Sequence, residues 1–61
     1  MKVIFWDKIQ ETYERCEHVD QLTIGRDRRG KCYVCIKDGY EEWYKCSRFN
    51  IERVEREGIY E

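Results

Sequence analysis

Lys31 to Cys46, KCYVCIKDGYEEWYKC, reads as two strands, KCYVCI and YEEWYKC, folded back on each other at Lys37-Asp38-Gly39. Loop length decides which side chains share a face of such a hairpin. With a two-residue loop, Asp38-Gly39, Val34 stands opposite Trp43, Ile36 opposite Glu41 and Cys32 opposite Lys45. That register mixes apolar and charged groups on both faces. A three-residue loop with Gly39 in the left-handed conformation shifts the pairing by one. Cys32, Val34, Ile36, Tyr40, Tyr44 and Cys46 then line one face, interrupted by Glu42, and Lys31, Tyr33, Cys35, Glu41, Trp43 and Lys45 line the other. Strand side chains alternate between faces, so the first set is expected in the core and the second at the surface. On this reading Tyr33 and Trp43 form an exposed cross-strand aromatic pair.

The remainder of the 61-residue chain is arranged around this hairpin as one domain, near the size at which an unassisted core suffices. Twelve basic and thirteen acidic residues nearly cancel, which argues against a whole-molecule field for nucleic acid or an anionic membrane. Basic character is local. Residues 25 to 39 hold five cations (Arg26, Arg28, Arg29, Lys31, Lys37) against Asp27 and Asp38, while the segments on either side are each net −2. A membrane span and a charged-then-apolar leader are both lacking in the pattern, so a cytoplasmic location is expected, the host cytoplasm if the gene is carried by a phage. Four cysteines in that compartment are expected to be reduced.

Lys2 to Trp6 (KVIFW) is a β-rich run followed by a turn at Asp7-Lys8. Ile9 to Val19 admits two readings. Trp6, Ile9, Tyr13 and Cys16 fall at helical spacing, with Asp7 and Gln10 as a capping box. Against this, the segment is short and Thr12, Tyr13 and Cys16 are weak helix formers, which favours a strand pairing back on the first. Gln21 to Gly25 (QLTIG) is a strand leading into the loop Arg26-Asp27-Arg28-Arg29-Gly30. Ser47 to Asn50 suits one tight 3₁₀ turn before a closing strand, Ile51 to Glu57. The rival is a helix capped by Ser47 and stopped at Gly58. The expectation is an all-β fold of five to six strands, with α+β as the alternative.

Strand, hairpin, hairpin, 3₁₀ turn and closing strand resemble a small SH3-like barrel or a strongly twisted antiparallel sheet. The pattern also resembles short β-rich orphan proteins of phages and mobile elements of Gram-positive bacteria. It is carried by the opening apolar strand, by Tyr13 with Cys16, and by Ser47-Arg48-Phe49-Asn50-Ile51. The resemblance implies that Cys16 and Cys46 are core hydrophobes. It also implies a class of protein that includes inhibitors of host defence, which bind a defence protein or a nucleotide signal.

Cys32-Tyr33-Val34-Cys35 has the spacing of a zinc knuckle, with Cys16, Cys46 and His18 as further ligands. In a regular strand, however, Cys32 and Cys35 point to opposite faces, and a second such pair is lacking, so no metal or cofactor is expected. The competing reading keeps Cys16, Cys32 and Cys46 as buried small hydrophobes and Cys35 as a surface thiol. A Cys32–Cys46 disulfide in oxidised preparations is the lesser option. His18 has no orienting group, no two carboxylates are marked as an acid–base pair, and no phosphate loop or nucleophile elbow occurs, so the chain does not read as an enzyme.

The expected binding residues are Tyr33, Trp43, Arg26, Arg28, Arg29 and Lys31. Arginine forks grip phosphates or carboxylates, and a neighbouring aromatic face stacks a base. The expectation is a non-enzymatic binding protein, a phage-type accessory protein or inhibitor of host defence. Its partner would be a host protein or a nucleotide-like ligand, with nucleic acid behind these. Nine aromatics exceed what one small core hides, so a homodimer is expected to bury some of them. A zinc-stabilised or nucleic-acid-binding regulatory module is the alternative, separated by metal analysis and by the salt dependence of binding.

Overall fold

β1 (Lys2–Asp7) puts branched and aromatic residues on both of its faces, as befits a central strand. It is the middle of a three-stranded antiparallel sheet in the order β2-β1-β6, with β2 spanning Thr12–Cys16 and β6 spanning Phe49–Glu55. The second sheet, β3-β4-β5, is formed by Gln21–Asp27, Gly30–Lys37 and Tyr40–Lys45, with the central hairpin as two of its strands. The structure, a computed structural model, describes residues 1–56; Glu57 and Gly58, the expected ends of the last element, lie outside the described residues. The protein is all-β, with no helix among the described residues.

Residues 9 to 19 therefore resolve as turn and strand. Lys8 to Glu11 make the turn and Thr12–Cys16 the strand, with Ile9 exposed at the tip. Asp7 accepts hydrogen bonds from the Ile9 and Gln10 amides on its side chain at 3.0 and 3.1 Å, so the sequence feature that suggested a helix cap satisfies a tight turn. The last strand starts at Phe49, two residues earlier than expected. A single tight turn closed by an i→i+3 bond of 3₁₀ type, Arg48 N to Lys45 O at 3.0 Å, makes the connection, slightly earlier than expected. Hydrogen bonding among the described residues gives two separate three-stranded sheets rather than one continuous ring of strands.

The core lies between the sheets. Val3, Phe5 and Cys16 from the first sheet meet Cys35 of β4, with Val19 on the crossover between them, and all five are fully buried. Phe5 is the hub, stacked on Tyr44 at 4.3 Å between centroids and edge-on to Phe49 at 6.0 Å, with Tyr33 at 5.9 Å. The crossover is held at both ends: Met1 and Val19 exchange backbone hydrogen bonds of 2.7 and 2.8 Å, and the Asp20 amide donates to Ile36 O at 2.8 Å.

The hairpin register is the principal correction. β4 and β5 pair Cys32 with Lys45, Tyr33 with Tyr44, Val34 with Trp43 and Cys35 with Glu42, the register of a two-residue Asp38-Gly39 loop. Asp38 has φ +48° and Gly39 φ +91°, the paired positive angles that match the twist of a tight hairpin. The side chains of β4 consequently change sides relative to the three-residue expectation, while those of β5 keep theirs, Tyr44 inward and Trp43 outward. Tyr33 and Cys35 face the core, and Cys32 and Val34 face outward.

Candidate functional site

The residues expected to bind are divided by this register. Tyr33 points between the sheets, where burial, and then the neighbouring Cys46, push its phenol up from the ordinary value. Trp43 stands on the outer face of β3-β4-β5, 46% exposed, so the two aromatics lie on opposite faces and form no pair. The indole lies over Gly25, where a Cβ would come within 2.8 Å of Trp43 Cη2. It also meets Val34, which is why an outward-facing valine is 4% exposed. Trp43 Nε1 donates to Glu41 Oε1 at 3.0 Å, fixing the ring.

The arginine loop is tighter than expected. Asp27 pairs with Gly30, leaving Arg28 and Arg29 as the tip, and Arg26 and Lys31 face each other as strand partners on the side of the sheet opposite Trp43. All four cations are exposed. Gly30, with φ +129°, closes the turn in a conformation that side chains rarely adopt. Asp27 Oδ1 accepts the Arg29 amide at 2.8 Å, and this bond holds its carboxyl below the ordinary range.

Cys16, Cys32 and Cys35 are buried, whereas Cys46, expected in the core, is only half-buried. Cys35, expected at the surface, is fully buried beside Cys16, and burial, then Cys16, pushes its thiol up to about 12. Burial, followed by the Asp27 carboxylate, also raises the outward-facing but covered Cys32 thiol. Cys46 sits by Tyr33 on the inner side, so Cys32 and Cys46 are not aimed at each other, and all four thiols are free. Among the described residues no three His, Cys, Asp or Glu side chains converge on a point suited to a metal ion. At the rim of the core Glu42 Oε1 accepts from the Tyr44 hydroxyl at 3.0 Å and from the Cys16 thiol at 3.5 Å. Burial, then contacts with Cys16 and Glu42, raises the Tyr44 phenol, so it remains a donor.

A second surface was missed in the sequence. The outer face of β2-β1-β6 carries Lys2, Ile4 and Trp6 on β1, Tyr13 and Arg15 on β2, and Asn50 and Arg53 on β6. Trp6 and Tyr13 are register partners and pack edge-on, 4.9 Å between centroids and 62° between planes. Beside them a cleft of about 300 Å³ is lined by Lys2, Ile4, Tyr13, Arg15, Glu52 and Arg53. Ile4, 7% exposed, is flanked by Arg15 on one side and Arg53 on the other. A register shift between Ile4 and Phe5 leaves Glu52 as the extra residue of a bulge, which brings an acid to the rim of a basic cleft. Glu55 ion-pairs with Lys2 at 3.5 Å and Arg53 at 2.8 Å. Arg15 is left without an ion pair among the described residues. The period-two alternation Lys2-Ile4-Trp6 and Tyr13-Arg15 carried this information, but only once the two runs are known to be paired strands.

No protein-family model matches the chain, and neither curated proteins nor solved structures give a significant match. Among the described residues no helix is long and apolar enough to cross a membrane.

Proposed function

We propose that the protein is a non-catalytic binding module whose ligand is planar and anionic, of nucleotide type, held on the outer face of β2-β1-β6. The observation that carries this reading is the meeting of the Trp6–Tyr13 aromatic pair with a cleft of about 300 Å³ flanked by Arg15 and Arg53. Tyr13, 57% exposed, offers a ring face for a base, and base–aromatic stacking contributes about 1–3 kcal/mol in single-strand binding. Arg15, uncommitted to any described carboxylate, is the fork for a phosphate, and Arg53 joins it by exchanging Glu55 for the ligand. The arginine tip, Arg28-Arg29, remains a second positive feature at the far sheet. Action by stoichiometric occupation, as in phage-type inhibitors that sequester a nucleotide signal, is supported by the strand-and-turn resemblance described above.

A binding role rather than catalysis is supported by the state of the reactive groups. The buried Cys35 thiol is held protonated, and the buried Asp7 carboxylate is committed to Arg48. A second reading, a protein partner docking on the outer face of β3-β4-β5, is favoured by the half-exposed Trp43 indole. Titration of the full chain with mono-, di- and cyclic nucleotides and with short single-stranded oligonucleotides, read by calorimetry, tests the first reading. The expected result is saturable binding that falls at least tenfold in Tyr13→Ala and in Arg15→Glu and is unchanged in Trp43→Phe. Binding lost in Trp43→Phe but retained in the other two would move the site to the second sheet.

A further inference from the structure

Of the edge strands, β3 is built unlike the rest. β2, β5 and β6 have charged side chains spread along them, with at most three uncharged residues in a row, and β6 has a bulge as well, devices that keep an edge from pairing with another chain. The first five residues of β3, Gln21 to Gly25, carry no charge and no proline, and Ile24 is 60% exposed. Among the described residues β4 is its only hydrogen-bonded neighbour. Such an edge invites a strand, and its own sequence says which one fits.

The geometry points to a two-fold dimer in which β3 pairs antiparallel with β3 of a second copy about Thr23, joining the two three-stranded sheets into one of six strands. A two-fold axis perpendicular to the sheet keeps each face on its own side, so opposed residues must be both odd or both even in number. Centring on Thr23 opposes Leu22 to Ile24 of the other copy twice, and it opposes Arg26 to Asp20 twice. Sliding the centre to Leu22 would set Ile24 against Asp20, and sliding it to Ile24 would set Leu22 against Arg26. The Thr23 register alone matches apolar with apolar and cation with anion at every inner-face position. On the outer face it puts Gln21 against Gly25, the residue whose missing side chain already makes room for Trp43. Among the described residues Arg26 forms no ion pair, and Asp20 accepts only the Asp38 amide, through Oδ2 at 2.9 Å, with no described partner on its other oxygen.

The test is sedimentation of the full chain over a range of concentrations, with backbone amide exchange as a second measurement. Wild type is expected to be a dimer whose β3 amides exchange slowly. Arg26→Glu and Asp20→Lys are each expected to raise the dimer dissociation constant at least tenfold, because each opposes like charges twice. An equimolar mixture of the two variants is expected to restore dimers, since one interface pair is then native and the other is swapped. The same circular dichroism in all samples separates a lost interface from a lost fold. A monomer at the highest concentration, or a dimer indifferent to both charge reversals, overturns the proposal. Monomers with slowly exchanging β3 amides also overturn it.

Discussion

Asp7 and Arg48 show how one residue can fix two turns. The carboxylate of Asp7, 3% exposed, accepts from Arg48 Nε at 3.0 and 3.1 Å and from Nη2 at 2.8 Å while also accepting the Ile9 and Gln10 amides. The pair ties the β1–β2 turn to the β5–β6 turn, where Lys8 N also donates to Arg48 O at 2.8 Å. The Arg48 hydrogen bonds hold the Asp7 carboxyl down at about 2, against an ordinary 3.8. A carboxyl lowered in the folded state stabilises it fully above the ordinary value and loses that contribution as pH falls toward the folded one. Urea midpoints of Asp7→Asn should therefore lie below wild type at pH 7, with the difference shrinking through pH 3.8 and vanishing near pH 2. A difference independent of pH would mean that the ion pair is not its source. Gly25 gives a sharper case. Alanine there should cost about 1–3 kcal/mol by overpacking against Trp43. In a Trp43→Ala background the same change should be neutral or stabilising, because glycine is otherwise unfavourable in a strand by about 0.5–1 kcal/mol. Denaturant titrations of the four chains check the reversal of sign.

At the scale of the element, the β4–β5 hairpin is set by its turn. Asp38-Gly39 supplies two residues at positive φ, and no neighbour lies within 4 Å of where a Gly39 Cβ would stand. Gly39→Ala thus tests backbone conformation alone, and chemical denaturation should show a loss of about 1–2 kcal/mol. A smaller loss in a folded variant would mean that the turn can adopt another type without harm. The sequence carried this signal, since Asp-Gly between alternating strands is a strong hairpin mark. What misled was the demand for a single clean face. β4 is covered on both sides, by the other sheet over Tyr33 and Cys35 and by Trp43 over Val34, so a mixed pattern is its proper one.

The whole molecule depends on a core of few side chains. Phe5 touches aromatics from both sheets, and removing its ring by Phe5→Ala should cost about 3–5 kcal/mol. Small domains bury a lesser fraction of their surface than large ones, and total stabilities run from about 5 to 15 kcal/mol, so this loss should leave little of the cooperative fold. Near-ultraviolet circular dichroism of Phe5→Ala is expected to lose its aromatic bands, while Phe5→Leu keeps a cooperative thermal transition at lower temperature. A fully cooperative Phe5→Ala would show that the sheets are held together elsewhere.

Composition and local pattern favoured strands over helices and placed a turn close to each hairpin tip, because propensity and glycine placement act over a few neighbours, but they left residues 9 to 19 and the last element open to a helix. The side of each strand that faces inward was decided only by the tertiary structure. Burial depends on what the second sheet and the Trp43 ring cover, and a one-residue change in loop length reverses it. The same dependence moved Tyr33 into the core and assembled Trp6, Tyr13, Arg15 and Arg53 on one surface, from strands that are neighbours only after folding.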